Sequence, residues 1–146
     1  MFRTGQIKRS GGTNSDYQKV SIKEKIKFVT CGKFNIFVVT EDNKIYRSGF
    51  SKDGHLGIET DYQSFKVMEK IDDEEQIKET IVDISSGTHF TLFATESGKL
   101  YGIGNRFLKE LGLDCDNKII QVPVKDEAKV LKVYGSMGKK APLAFI

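Results

Sequence analysis

Residues 26–58 read IKFVTCGKFNIFVVTEDNKIYRSGFSKDGHLGI, and residues 81–113 read IVDISSGTHFTLFATESGKLYGIGNRFLKELGL. Laid on each other without a gap, at an offset of 55, they are identical at nine of 33 positions. The identities are Ile26/Ile81, Gly32/Gly87, Thr40/Thr95, Glu41/Glu96, Lys44/Lys99, Tyr46/Tyr101, Gly49/Gly104, Leu56/Leu111 and Gly57/Gly112. Two unrelated segments of average composition would share roughly two. Val29/Ile84, Ile45/Leu100 and Ile58/Leu113 are apolar in both copies. Self-similarity at such a period marks a supersecondary unit that stacks on its neighbours.

The shared positions spell a sheet. Phe28–Cys31 and Ile81–Ile84 are short strands, each followed by a glycine turn. Ile36–Thr40 and Thr91–Thr95 are near-continuous apolar runs, the pattern of strands covered on both faces. Asp42-Asn43 and Ser97-Gly98 are two-residue connections that suit a tight hairpin needing positive φ. Ile45–Ser48 and Leu100–Ile103 return the chain. Gly49 and Gly104 end that strand, where a backbone angle or a close approach forbids a Cβ. The next loop closes at Leu56-Gly57 or Leu111-Gly112, its leucine anchored in the core. Phe65–Glu69 and Ile119–Val124 supply a fourth strand.

Partial units flank these two. Phe2-Arg3-Thr4-Gly5 matches Tyr46-Arg47-Ser48-Gly49, and Tyr17–Ile22 takes the place of a fourth strand. Val130–Gly135 matches the first strand and turn of a new unit, with Leu143–Ile146 as its second strand. The chain thus reads as one domain, 1–146, holding units 1–25 (partial), 26–80, 81–129 and 130–146 (partial). Pattern alone predicts a β-rich repeat architecture with four strands per unit.

Composition agrees with a folded domain. Charged residues make up 29% and hydrophobic ones 38% of the 146 residues, a globular balance. No apolar stretch is long enough to span a bilayer, so membrane insertion is not expected. The net charge of +3 is uneven: residues 1–33 hold eight Lys or Arg against Asp16 and Glu24. Glu69–Glu79 is acidic, and Lys129, Lys132, Lys139 and Lys140 make the tail basic. Solvated loops account for this pattern. No aromatic-interleaved basic cluster marks a nucleic-acid surface. Two cysteines make no disulfide framework, which favours a reducing compartment. Cys31 falls inside a strand pattern and is expected to be a buried small hydrophobe. Cys115, between Asp114 and Asp116, is a poor nucleophile because the carboxylates disfavour its thiolate. The expected location is intracellular, cytoplasmic or nuclear. Met1–Ser15 has three basic residues and no acid, so mitochondrial import stays open beside it, against the fit of Phe2–Gly5 to the repeat.

Motifs of catalysis and cofactor binding fall short. Gly102-Ile103-Gly104-Asn105-Arg106-Phe107 lacks the third glycine of a dinucleotide fingerprint, and Gly135–Lys140 lacks the spacing of a phosphate loop. Asp114-Cys115-Asp116-Asn117 starts like a calcium loop, but Ile119 and Lys125 stand where glycine and glutamate belong. His55 and His89 are the only histidines. They occupy different places in their units and have no ligand-spaced partner. No metal, no cofactor and no catalytic residue is assigned.

The recurring Cys-Gly or Gly turn, the strand ending in Thr-Glu, Lys44-Ile45-Tyr46 and Gly98-Lys99-Leu100-Tyr101, the glycines Gly49 and Gly104, and the closing Leu-Gly resemble the regulator of chromosome condensation repeat. With its flanking pieces the resemblance covers nearly the whole chain. It implies an all-β fold, a partial, open β-propeller of about three four-stranded antiparallel blades. Gly32, Gly49, Gly57, Gly87, Gly104 and Gly112 are its structural glycines. The chain departs from the family in two ways. Asn35 and Phe90 stand where histidine is usual, and Ser48, Ile103 and Thr4 where tryptophan is common.

A segment this short cannot close the seven-bladed ring typical of the family, so either it is part of a longer product or it docks its open blade edges, which invite pairing, onto another chain. The expected function is therefore a non-catalytic interaction module, or scaffold subunit, with protein partners covering the open ends. Candidate partner loops are Ser51–Leu56, with Lys52, Asp53 and His55, and Asn105–Leu111, with Arg106, Phe107 and Lys109. The acidic insertion with Glu74 and Glu75 is a third. The alternative implied by the resemblance is guanine nucleotide exchange on a Ran-like small GTPase, which would need no cofactor. Ubiquitin-ligase or ciliary scaffolding is a further possibility from related repeats.

Overall fold

The computed structural model describes residues 6–7, 18–19, 22–33, 35–49, 56, 69–71, 77–104, 108–109, 111–113, 118–135 and 143–145. The described elements are nearly all strands. β1 (Gln6–Ile7) pairs with β2 (Gln18–Lys19) as an antiparallel ribbon. β3 (Ile26–Cys31), β4 (Asn35–Thr40), β5 (Ile45–Gly49) and β6 (Glu69–Lys70) form a four-stranded antiparallel sheet in chain order. β7 (Ile81–Ser86), β8 (Thr91–Thr95), β9 (Leu100–Ile103) and β10 (Ile120–Val122) form a second. After a 3-10 turn at Lys125–Glu127, β11 (Lys132–Tyr134) and β12 (Leu143–Phe145) make another ribbon.

The two sheets share one register. Ile26↔Thr40, Phe28↔Val39, Val29↔Val38, Thr30↔Phe37 and Cys31↔Ile36 recur as Ile81↔Thr95, Asp83↔Ala94, Ile84↔Phe93, Ser85↔Leu92 and Ser86↔Thr91. A β-bulge sits at the same place in each, between Ile26 and Phe28 and between Ile81 and Asp83. The bulge lets one strand hold an extra residue without losing its pairing on either side. The third strands repeat in register as well. The fourth strands do not keep the offset of 55: Tyr46 faces Lys70, whereas Tyr101 faces Gln121. The loop before β10 is thus four residues shorter, and β6 starts at Glu69, the last residue of the expected Phe65–Glu69 strand. The rest of that expected strand lies outside the described residues.

The hairpins differ from expectation. Asn43 N–H donates to the Thr40 carbonyl at 2.9 Å, and Thr40 N–H to the Lys44 carbonyl at 3.0 Å. Gly98 and Thr95 repeat this with Lys99. The loop therefore has three residues, not two, and only its last residue turns left-handed, Asn43 at φ 65° and Gly98 at φ 88°. This is a type I turn closed by a bulge, which a two-residue reading of the sequence does not distinguish from a primed turn. The terminal threonine has a stated task here. Buried Thr40 and Thr95 accept the N–H of Lys44 and Lys99 at 3.0 and 3.2 Å.

The sheets stack face to face. Every residue of β4 and β8 is buried, as their apolar runs predict. Phe37 and Val39 face the second sheet and meet Ile81, Ile84, Phe93 and Ile103. Phe37 and Phe93 pack edge to face, with centroids 5.9 Å apart. On the far side of the second sheet, Leu92, Ala94, Leu100 and Val122 are covered by Val130 and Val133 of the next unit. β3, β7 and β11 lie side by side at the inner edge, as the contacts of β3 with β7 and of β7 with β11 show. Their exposed positions are Lys27, Val29 and Cys31 on β3, Val82 on β7, and Lys132 and Tyr134 on β11. Cys31 is thus exposed, not buried as expected. The alternation of β3 turns residues 27, 29 and 31 outward together, and an edge strand lacks the second cover that β4 has.

Candidate interaction surface

The linkers between blades build the polar sites. Asn43 donates its side-chain amide to the carbonyls of Ile77 (2.9 Å) and Glu79 (2.8 Å) and accepts Ile81 N–H at 2.8 Å. One hairpin residue thereby holds the chain entering the second blade. At the equivalent Gly98 the backbone does this instead. Val130 N–H donates to the Gly98 carbonyl at 2.9 Å, and a Cβ on Gly98 would lie 2.7 Å from that of Lys129. Asn43→Ala removes three hydrogen bonds and strains a left-handed residue. It is expected to lower stability by about 2–4 kcal/mol in urea unfolding. Asn43→Gly keeps the permitted φ and should lose about 1 kcal/mol less.

Beside each hairpin a glutamate gathers a polar cluster. Glu79 accepts from Lys99 Nζ, Ser97 Oγ, Thr95 Oγ1 (3.1 Å) and Tyr101 OH (3.3 Å). Glu24 takes the same place in the first blade, with Lys44 Nζ at 3.2 Å, and Lys44 also meets Asp42 at 2.7 Å. Hydrogen bonding to Asp42 and then Glu24 holds the Lys44 ammonium charged far above the ordinary lysine range. Hydrogen bonds from Lys99 and Ser97 hold Glu79 down to about 2. The folded carboxyl thus titrates below its ordinary value of 4.5. The stability it contributes is complete above that value and is lost as pH falls through about 2. A melting series from pH 6 to pH 2 should show the parent chain losing stability over this window. Glu79→Gln should lose less over the same window, and parallel curves would refute the assignment.

This cluster went unseen because the alignment starts at Ile26. Three more identities at the same offset lie upstream, Ile22/Ile77, Lys23/Lys78 and Glu24/Glu79. A second missed position is the hydroxyl shared by Thr30 and Ser85. Ser86 N–H donates to Thr30 Oγ1 at 3.1 Å, and Gly135 N–H to Ser85 Oγ at 2.8 Å. Asp83 adds a carboxylate that accepts Val133 N–H at 3.0 Å. Each inner strand thus stitches itself to the next.

Of the candidate loop residues, Lys109 is exposed. Lys52, Asp53, His55, Glu74, Glu75, Arg106 and Phe107 lie outside the described residues, as does Gly57. Leu56 is buried as expected, and its carbonyl accepts Arg47 Nη1 at 2.7 Å. Leu111 is not: it is 50% exposed, and Leu108 fills the core in its place. Leu111 N–H and Leu113 N–H both donate to the Leu108 carbonyl, at 3.1 and 2.8 Å. This tight turn drives Leu108 inward and Leu111 out. His89 is half-buried just before β8. Among the described residues no three His, Cys, Asp or Glu are grouped to hold a metal ion. No helix there is long and apolar enough to cross a membrane.

Stacked, four-stranded antiparallel blades whose loops lie at the blade ends define a propeller-repeat protein. No family profile matches the chain. It is 31% identical over 93 residues to the X-linked retinitis pigmentosa GTPase regulator of Canis lupus familiaris, covering 62% of this chain and 9% of the relative. It is 34% identical over 113 residues to the ultraviolet-B receptor UVR8 of Arabidopsis thaliana, covering 75% and 25%. It is 27% identical over 97 residues to the guanine nucleotide exchange factor SRM1 of Saccharomyces cerevisiae, covering 63% and 19%. The fold matches human WBSCR16 with a TM-score of 0.68 at 18% identity, over 90% of this chain and 35% of that one. Yeast RCC1 (Prp20), solved bound to Kap60, gives 0.65 at 13%, over 88% and 32%. The chain is a divergent protein of the regulator of chromosome condensation repeat family. It spans a quarter or less of the length of these curated relatives.

Proposed function

We propose that the chain is a non-catalytic interaction module, with protein partners engaging its loops and its open blade edges. The observation that carries this is how the repeated polar residues are used. Thr30, Thr40, Asn43, Glu79, Asp83, Ser85 and Thr95 all spend their hydrogen bonds on hairpins, linkers and neighbouring strands. What the described blades offer outward is rigid shape and exposed side chains such as Lys109 and Tyr134. A scaffold that presents loops on fixed strands suits binding.

Nucleotide exchange is the second reading, supported by the likeness to the guanine nucleotide exchange factor SRM1. It is tested by adding the chain to a Ran-like GTPase loaded with a fluorescent guanine nucleotide. The module reading expects release at the intrinsic rate, with or without binding. Faster release that grows with chain concentration would replace it with exchange.

A further inference from the structure

The segments that lead into the inner strands sort their charges by side. From Ile22 to Cys31 burial alternates residue by residue, and positions 23, 25 and 27, all lysine, are exposed. Ile22, Glu24 and Ile26 are half-buried between them. Residues 77–82 repeat the alternation, with Lys78, Thr80 and Val82 exposed and Ile77, Glu79 and Ile81 turned inward. In the third unit Lys129 and Leu131 are exposed on either side of buried Val130. The two glutamates are held by Lys44 and Lys99 of the hairpins, so no carboxylate stands at these outward positions. Val82 is 38% exposed although β7 has β3 on one side and β11 on the other. Its exposure therefore belongs to the position and not to a missing neighbour. Val130 N–H docks on Gly98 as Ile81 N–H docks on Asn43, so Leu131 takes the place of Val82. Lys27 takes it in the first blade, and its Nζ donates to the Ile81 carbonyl at 2.7 Å, right beside Val82. The outward residues thus form one basic ridge that carries Val82 and Leu131.

We propose that this ridge docks an extended acidic segment of a partner protein that also carries aliphatic side chains. This rests on the module reading and names the chemistry of one partner. The charge on the ridge is uncompensated. Lys23 and Lys129 meet no carboxylate among the described residues, and Lys27 spends its hydrogen bond on a neutral carbonyl. Lys25 pairs with Glu41 at 2.7 Å, an exposed pair of little worth that a partner carboxylate can replace. Opposite charge steers the partner and fixes its register, while Val82 and Leu131 supply apolar burial. Alternate residues of an extended chain repeat roughly every 6–7 Å, the period at which β3 and β7 turn residues outward. The partner does not add as a strand. The N–H groups of Ser86, Val133 and Gly135 are already taken by Thr30, Asp83 and Ser85, so docking runs through side chains. Nucleic acid fits less well, because the ridge has no arginine fork and no aromatic ring on which a base could stack.

Fluorescence anisotropy of a fluorescein-labelled peptide of glutamates with interspersed leucines, titrated with the unsubstituted chain, reads the docking. The peptide should bind, and binding should weaken as salt rises. Lys23→Glu together with Lys129→Glu should weaken it at least about tenfold, because like charges then face each other. Lys23→Gln with Lys129→Gln, which only removes charge, should give a smaller loss in the same direction. Lys118→Glu, at an exposed lysine just before the outer strand β10, should leave binding nearly unchanged. The same peptide with glycine in place of leucine should bind several-fold more weakly, which a purely ionic contact would not show. The proposal is overturned by any of four results: no binding to the unsubstituted chain, undiminished binding in both lysine double variants, equal binding of the leucine-free peptide, or tighter binding of an oligo-dT strand than of the peptide. The GTPase titration reads nucleotide release, so the module reading and this docking surface can fail separately.

Discussion

Phe93→Ala is expected to lower the stability of the chain by about 3–5 kcal/mol, among the large losses expected from core truncations in the described blades. Phe93 is fully buried between the two sheets and meets Phe37 edge to face at 5.9 Å and 83°. Truncation removes the transfer energy of the ring and the aromatic pairing, about 0.5–1.5 kcal/mol of it. It also leaves a cavity where both walls are sheets that collapse poorly. A domain holds about 5–15 kcal/mol in total. Stacked repeats draw much of that from interfaces between neighbours. The denaturant midpoint should therefore fall sharply, with Phe93→Leu losing much less. Val29→Ala, at a side chain 56% exposed, should stay within about 0.5 kcal/mol. A Phe93→Ala chain as stable as its parent would show that the sheets do not support each other through this face.

Gly104→Ala should cost a similar amount, about 3–5 kcal/mol, by a different route. Gly104 has φ 131°, a conformation that side chains rarely adopt. A Cβ there would overlap the His89 carbonyl oxygen and lie 2.8 Å from Phe90 Cα. Those neighbours are backbone at the start of β8 and cannot swing aside. Strained φ and forced overlap add, each about 1–3 kcal/mol. Gly112 is the control. It too has positive φ, at 74°, but a Cβ would meet nothing within 4 Å, so Gly112→Ala should lose only about 1–2 kcal/mol. Equal losses at the two sites would mean that crowding at Gly104 is relieved by movement of the turn. Both glycines recur at the offset of 55, and the sequence does not separate them.

Much of the fold was legible because it is local. The apolar runs at Ile36–Val39 and Leu92–Ala94 become the doubly covered strands, and the strand pairs recur in one register. The polar clusters were legible in part. Lys44, Tyr46, Lys99 and Tyr101 stood out as identities, while Glu24 and Glu79 lay just upstream of the aligned window. Other expectations failed for reasons a linear pattern does not carry. Asp42-Asn43 fits two hairpin types, and the hydrogen bonds to Thr40 choose between them. Leu56 and Leu111 are the same letter, but a turn around Leu108 reverses the second. Cys31 looked apolar-packed, yet the edge position of β3 leaves its face uncovered.

By itself the sequence determined the repeat, its strands and the order in which they pair, because alternation and turn chemistry act between residues a few places apart. Only the tertiary structure decided which face each blade shows its neighbour and which polar groups bind across the gap. Those contacts join residues some 50 positions apart, as between Thr30 and Ser86 or Ser85 and Gly135. Bonds over that separation depend on how whole sheets stack, and no local pattern encodes the stacking.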